Sequence, residues 1–307
     1  MRTGIATLAL LLSLALAPVG ASEALAAPSR PAPIHEQTER VLDRAGFRAR
    51  MVAVLQGMTP PLKVRVVSDE ELVVTGADGT DSRLFLTNAY QQYLNDPANL
   101  EAVLGKFSRL ATGEGRKTEI QVGDLRVLVR SRGYLDFLRD AARREGKPST
   151  SDDLPLHRIL PGGLVALVAQ DHPEVYSFPV RADLRAVAPD DAVGWDAALA
   201  NTRANLGEIL TEEAADGVLI VSTSNGFGVS LLMLDEVWNG KALKGKGAPV
   251  VAIVDRDTLL LAHEGDLGGV DALGRLIDVL SAQPDSQLLS TALLVRRTSG
   301  RWEVLER

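Results

Sequence analysis

Short apolar and β-branched runs, each closed by a turn residue and mixed irregularly with helical periodicity, limit this chain to a mixed fold. Leu62, Val64 and Val66 alternate with Lys63 and Arg65, the β-branched and apolar Leu72 to Thr75 follows, and Leu84 to Leu86 returns after the turn signal Ala77-Asp78-Gly79. This spacing predicts a three-stranded antiparallel meander. Leu125, Val127 and Val129 alternate again, and further strands are predicted over 156–160, 164–169, 175–179, 184–187, 218–222, 250–254, 258–262, 289–295 and 302–305. Helical spacing starts near His35, with Gly46 as a possible divider and Thr59-Pro60-Pro61 as the stop. Later helices are predicted over 88–95, 97–110, 134–144, 195–206, 230–237 and 269–281. No regular βαβ alternation runs through this order. The expected class is therefore α+β, with mixed, largely antiparallel sheets and packed helices in two α+β halves.

The segment 145–153 is polar, carries Gly and Pro, and lacks apolar periodicity. It is the predicted boundary between an N-terminal half, 34–146, and a C-terminal half, 154–307.

Residues 1–26 read as a signal peptide: Arg2, the apolar run 5–17, a Pro18/Gly20 break and Ala24-Leu25-Ala26. The run is well short of the about 20 residues that a membrane-crossing helix needs. Cleavage after Ala26 is expected, with cleavage after Ala21 as the alternative. The Pro-rich stretch 27–33 then reads as a tether. The chain has no cysteine, which excludes a lipoprotein anchor, a disulfide framework and a Cys nucleophile. The expected location is the periplasm or the extracellular space, with no membrane span once the signal is removed. A formal net charge of −7 argues against general binding to nucleic acid.

The segment 222–228, Ser-Thr-Ser-Asn-Gly-Phe-Gly, lies between a predicted strand and a predicted helix. Strand, Gly-rich turn and helix is the order of an anion site, so Ser222, Ser224, Asn225 and Gly226 are the candidate ligand-binding residues. The plainer reading is a turn in which Asn225-Gly226 takes positive φ and Ser230 caps the helix. The segment 240–247 nearly spells a P-loop, but Gly247 stands where Mg²⁺ needs Ser or Thr, and a helix precedes the loop where a strand belongs. Asp255-Arg256-Asp257 offers two carboxylates to a metal or, more simply, a hairpin turn. His263-Glu264 is followed by no second His. His157 opens a strand and His172 sits in a turn, and both read as solvated or locally bonded. Tyr90 and Tyr93, one helical turn apart, read as a partly buried face. No nucleophile elbow or S-x-x-K set occurs, so no catalytic residue, metal or cofactor is assigned.

Several of these segments together resemble an uncharacterised bacterial family, the YtpQ-like domain of unknown function. The resemblance rests on Leu154-Pro155-Leu156, on Val175 to Pro179, on Ala204-Asn205-Leu206, on Gly217 to Val221 with Asn225-Gly226, and on Arg256 to Ala262. Gly300-Arg301-Trp302-Glu303 fits as well. In the first half it rests on Leu84 to Tyr90 with Tyr93. The family brings no established reaction, cofactor or catalytic residue. The signal peptide departs from its mainly cytoplasmic members.

The leading expectation is an exported, non-enzymatic binding or interaction protein whose partner is an unknown protein or small ligand. A hydrolase-like envelope enzyme using loop carboxylates or His is the second. A small-ligand or anion carrier using the 222–228 turn is the third. The residues lining the main cleft discriminate among the three.

Overall fold

The computed structural model describes residues 41–76, 79, 81–112, 119–144, 150–172, 176–214, 216–240, 243–283 and 288–306. The signal peptide, the tether and the helical spacing from His35 to 40 lie outside the described residues. The chain divides into two compact units, Arg2–Arg116 and Lys117–Arg307. The fold is α+β. Among the described residues no helix is long and apolar enough to cross a membrane.

The N-terminal unit begins with α1 (Arg44–Gln56), which buries Phe47, Met51 and Leu55 at helical spacing. Gly46 does not divide this helix. It lies in the first turn, where its amide donates to the Asp43 carboxylate at 2.7 Å. The predicted meander follows as β1 (Lys63–Val66), β2 (Glu71–Thr75) and β3 (Asp81–Phe85), antiparallel throughout. Then come α2 (Thr87–Asn95) and, after a 3-10 turn at Pro97–Asn99, α3 (Leu100–Ala111). Tyr90 and Tyr93 of α2 pack on Phe47 at 5.4 and 5.5 Å between ring centroids. Their hydroxyls also clamp Leu42: Tyr93 accepts its amide at 2.7 Å and Tyr90 donates to its carbonyl at 3.1 Å. The pair is thus an anchor for the start of α1.

The C-terminal unit starts earlier than the polar segment 145–153 suggests. Its first strand, β4 (Leu125–Ser131), and the helix α4 (Arg132–Arg144) were read into the first half. Yet β4 pairs along its whole length with β6 (Leu164–Asp171), from Leu125↔Gln170 to Ser131↔Leu164. A polar stretch reads the same whether it divides two domains or connects elements of one, and only the pairing tells these apart; residues 145–149 lie outside the described residues. The sheet is completed by β5 (His157–Leu160) and the short β7 (Tyr176–Ser177), both antiparallel to β6. With neighbours on both sides and both faces covered, β6 is buried for all but its last residue, which is why it reads as one apolar run.

Next are α5 (Arg181–Leu184) and α6 (Asp191–Ala204), then β8 (Ile209–Glu213) and β9 (Leu219–Thr223). A 3-10 helix (Gly228–Met233) and α7 (Asp235–Asn239) lead to β10 (Pro249–Ile253) and β11 (Leu259–His263). The chain closes with α8 (Leu267–Ser281), β12 (Leu294–Arg296) and β13 (Trp302–Val304). These strands form a six-stranded antiparallel sheet in the order β13-β12-β10-β11-β9-β8.

The strand predicted over 289–295 is confined to Leu294–Arg296, and other local readings differ for physical reasons. The stretch 184–187 is a helical turn, because Ala188 bonds back to Leu184 at 2.9 Å and both side chains are buried at i, i+4 spacing. The strand β8 was not foreseen. It is a charged edge strand, ILTEE, whose identity comes from its ladder with β9.

The main core lies among β4, β6, α6, the 3-10 helix and one face of the six-stranded sheet. The free edge of β4 is closed there by side chains. Thr202 on α6 accepts the Val127 amide at 2.8 Å, and Ser230 donates to the Val127 carbonyl at 2.8 Å. Ser230 is thus a buried strand-edge partner, not a helix cap. Thr202→Val keeps the shape but leaves the buried Val127 N–H without an acceptor. We expect it to lower the unfolding free energy by about 1–3 kcal/mol, read by urea denaturation. A variant indistinguishable from the parent would mean that β4 is not held by this bond.

Candidate functional site

A cleft of about 330 Å³ opens on the C-terminal unit where the start of β5, α5 and the first turns of α6 meet. Its lining residues include Leu156, His157, Arg158, Arg181, Asp191 and Trp195. The β5 pleat places Arg158 opposite Ala166 of β6, on the face toward α6. There its guanidinium lies 4.1 Å above the ring centroid of Trp195, a cation–π stack on an indole that is only 1% exposed. Among the described residues Arg158 has no hydrogen-bond or ion-pair partner. Arg181 enters from α5 and faces Asp191 at 3.4 Å, an ion pair too long for a good hydrogen bond. His157 holds the Pro155 carbonyl through Nδ1 at 2.8 Å. That bond assigns the proton of a neutral ring to Nδ1 and leaves Nε2 as an acceptor.

The walls of the cleft hold more donors than acceptors. Trp195 Nε1 and Arg181 Nε are both buried with no hydrogen-bond partner among the described residues. A buried donor without an acceptor costs about 1–3 kcal/mol, so such groups are uncommon outside functional positions. No hydroxyl or thiol side chain is among the lining residues.

A second polar group sits where β6 ends and β7 begins, in the same sheet. His172 Nε2 and Ser177 Oγ are 2.7 Å apart across the β6–β7 hairpin, with His172 5% exposed. Arg126 Nε lies 3.5 Å from the Asp171 carboxylate. A His–Ser contact is also the first requirement of a nucleophile and its base. Sequence reading missed this pair because the two residues flank a hairpin whose closure brings them together.

Nearby, Arg130, Tyr134, Tyr176 and Asp257 perturb one another. Burial and the charge of Arg256 lower Arg130 to about 10. Burial, then Asp171, pushes the Tyr176 phenol up to about 12. Burial raises Tyr134 as well. The Asp257 carboxyl is held above its ordinary range, chiefly by burial, with Arg256 and Arg130 opposing and Asp255 adding to the shift. The folded chain therefore keeps this proton to higher pH than the unfolded chain does. Its contribution to stability is present below the ordinary carboxylate range and is lost as pH rises through the folded value. We expect the difference in unfolding free energy between the parent and Asp257→Asn to fall over that window, followed by urea titrations from about pH 4 upward. A difference that rises with pH instead would mean that pairing with Arg130 and Arg256 outweighs burial.

The four candidate ligand residues lie outside the cleft lining. Ser222 is buried. Ser224 accepts the Glu208 amide at 3.0 Å and donates its own amide to Glu208 at 2.9 Å, extending the β8–β9 ladder. Asn225 donates to the Asn205 carbonyl at 2.9 Å, at the end of α6. Gly226 adopts φ 75° and lies beside the Asp257 carboxylate, where an added Cβ would be 3.5 Å from Oδ1. The amides of Gly226 and Phe227 both donate to Thr223. These groups tie α6, β8 and the β10–β11 turn together.

The remaining motifs keep local roles. Asp255 accepts the Asp257 amide at 2.8 Å within the β10–β11 turn. His263 contacts the Leu243 carbonyl at 3.1 Å. Around the P-loop-like segment α7 precedes and β10 follows, the reverse of a phosphate loop, and residues 241–242 lie outside the described residues. No group of three or more metal-ligating side chains is found among the described residues. No family model, no curated protein and no solved structure matches this chain.

Proposed function

We propose that this chain is an exported, non-enzymatic binding protein of the YtpQ-like kind, and that its C-terminal unit holds a ligand in the cleft between β5, α5 and α6. The observation that carries the reading is the chemistry of the lining. Two guanidinia, an imidazole and a buried indole converge, with one carboxylate and no hydroxyl or thiol nucleophile among them. Such walls orient and hold a molecule, whereas covalent catalysis needs a nucleophile with a base in reach. Export is supported by the signal-type sequence of residues 1–26, and kinship with the family by the motifs quoted above.

A thermal-shift panel of sugars, carboxylates, phosphates, amines and short peptides tests the binding reading. Ligands that bind the folded state raise its apparent stability by mass action. At least one compound is expected to raise the midpoint of the parent and not that of an Arg158→Gln/Arg181→Gln double variant. A panel in which every shift is shared by both proteins sinks the reading. Fusing residues 1–40 to a reporter active only after secretion tests export, and retention in the cytoplasm would overturn it.

A hydrolase-like activity is the second reading, favoured by the 2.7 Å contact of His172 with Ser177. Turnover of activated esters that disappears in Ser177→Ala would move the assignment there.

A further inference from the structure

We propose that the cleft's ligand is an anion, gripped through its carboxylate or phosphate oxygens by Arg158 and Arg181, and that Asp191 is an internal occupant which the ligand displaces from Arg181. This rests on the binding reading above and names the ligand chemistry of the same cleft.

Charge is the first argument. The chain carries a net −7, and Arg139, Arg185, Arg203, Arg275, Arg296 and Arg297 each hold an acidic partner. Arg158 stands without one among the described residues, at the mouth of a cleft. A cation with no partner in an acidic protein raises the local concentration of anions around it.

Preorganisation is the second. The Arg158 guanidinium carbon lies over the indole of Trp195, 4.1 Å from the ring centroid. A guanidinium resting on an aromatic face is restrained by that contact, and its planar fork presents parallel N–H groups that match two oxygens of a carboxylate or phosphate. Binding to such a group orders little that was not ordered before.

Unused donor capacity is the third. Arg181 reaches Asp191 only at 3.4 Å, and its Nε is buried without an acceptor. Arg181 is thus restrained by a weak internal counter-ion that leaves hydrogen-bonding capacity open. The Asp191 side chain is 46% exposed against 17% for Arg181, so the carboxylate can swing into water while the guanidinium stays. Leu156 supplies an apolar wall, and about 330 Å³ suits a small organic acid or phosphate monoester.

The test is calorimetric titration of the full chain with succinate and benzoate in one arm, and with inorganic phosphate and glycerol 3-phosphate in the other. Succinamide and putrescine serve as neutral and cationic controls. At least one anion is expected to bind, the arm that does so naming the source of the oxygens. Its affinity should fall about tenfold or more in Arg158→Gln and in Arg181→Gln. Arg158→Lys should lie between, because it keeps the charge without the fork. Asp191→Asn should bind several-fold tighter, and added salt should weaken binding. Circular dichroism and melting of each variant confirm folding. Anion binding that is indifferent to both arginines, or weakened by Asp191→Asn, overturns the assignment. Succinamide binding as well as succinate overturns the anion chemistry and leaves the binding reading standing. If neither these probes nor any compound of the broader panel binds, both fall.

Discussion

Gly228→Ala is expected to destabilise the C-terminal unit by about 3 kcal/mol or more, the range of severe overpacking. A Cβ at this position would sit 1.8 Å from the carbonyl oxygen of Asp257 and 2.6 Å from its carbonyl carbon. The obstacle is backbone, so no rotamer change relieves it. The Asp257 peptide has little room to retreat, since its amide is held by Asp255 and it lies in the turn between two buried strands. On the other side Phe227 and Val229 are themselves buried. The corresponding fall in melting temperature is roughly 6–12 °C for a unit of this size. All three tryptophans, Trp195, Trp238 and Trp302, belong to the C-terminal unit, so their fluorescence follows this unit alone. Gly226→Ala is the control. Its Cβ would keep 3.5 Å from Asp257, and only the left-handed φ of 75° penalises it, by about 1–2 kcal/mol. If Gly228→Ala proves no worse than Gly226→Ala, the 3-10 helix is free to lift off the β10–β11 turn and the close approach is not a structural requirement.

Trp195→Ala is expected to cost about 3–5 kcal/mol, the range for deleting a large buried aromatic side chain. Trp195 is 1% exposed and belongs to the main core with Ala198 on α6 and Leu184 on α5. Its loss also takes away the surface on which Arg158 is stacked. Stability and binding can be separated with Trp195→Phe. That change retains an aromatic face and removes Nε1, a buried donor with no partner among the described residues, so it should destabilise far less than the alanine. Anion affinity should follow the face: lost in Trp195→Ala, largely kept in Trp195→Phe. Equal loss of affinity in both variants would assign the indole N–H, not the stack, as the feature that matters. Urea unfolding by fluorescence of the remaining tryptophans and calorimetry at matched folded fraction supply the two readouts.

How far the sequence carried depends on the range of the interaction involved. β1 to β3, β6, β10 and β11 were legible because their alternation, or their unbroken apolar run, is a local property fixed by the two-residue pleat. β8 was not legible because an exposed ILTEE segment becomes a strand only when β9 offers it a ladder. The predicted helix over 230–237 is a 3-10 segment followed by α7, because Gly228 to Met233 must follow the edge of β4 and the turn at Asp257. The Ser222–Gly228 turn was recognised as a turn, and its Asn225-Gly226 chemistry places positive φ at Gly226. That its polar groups answer to α6 and β8 was not encoded in the seven residues themselves.

The candidate site divides in the same way. From their immediate neighbours His157 reads as the opening of a strand, and both His157 and His172 as solvated or locally bonded. Nothing near Arg158 in sequence announces Trp195, and nothing near Arg181 announces that its own N–H would be buried without an acceptor. By itself the sequence determined the fold class, most strands and helices, the absence of any cysteine chemistry and the acidic balance, because each depends on composition or on spacing within about a dozen residues. Only the tertiary structure decided that β4 belongs with β6, that Ser177 meets His172, and that two arginines, an aspartate and an indole share one cleft. The first and last of these groupings join residues far apart in the chain, the second needs β7 to pair with β6, and all exist only once backbone hydrogen bonds and apolar burial have fixed the distances between elements.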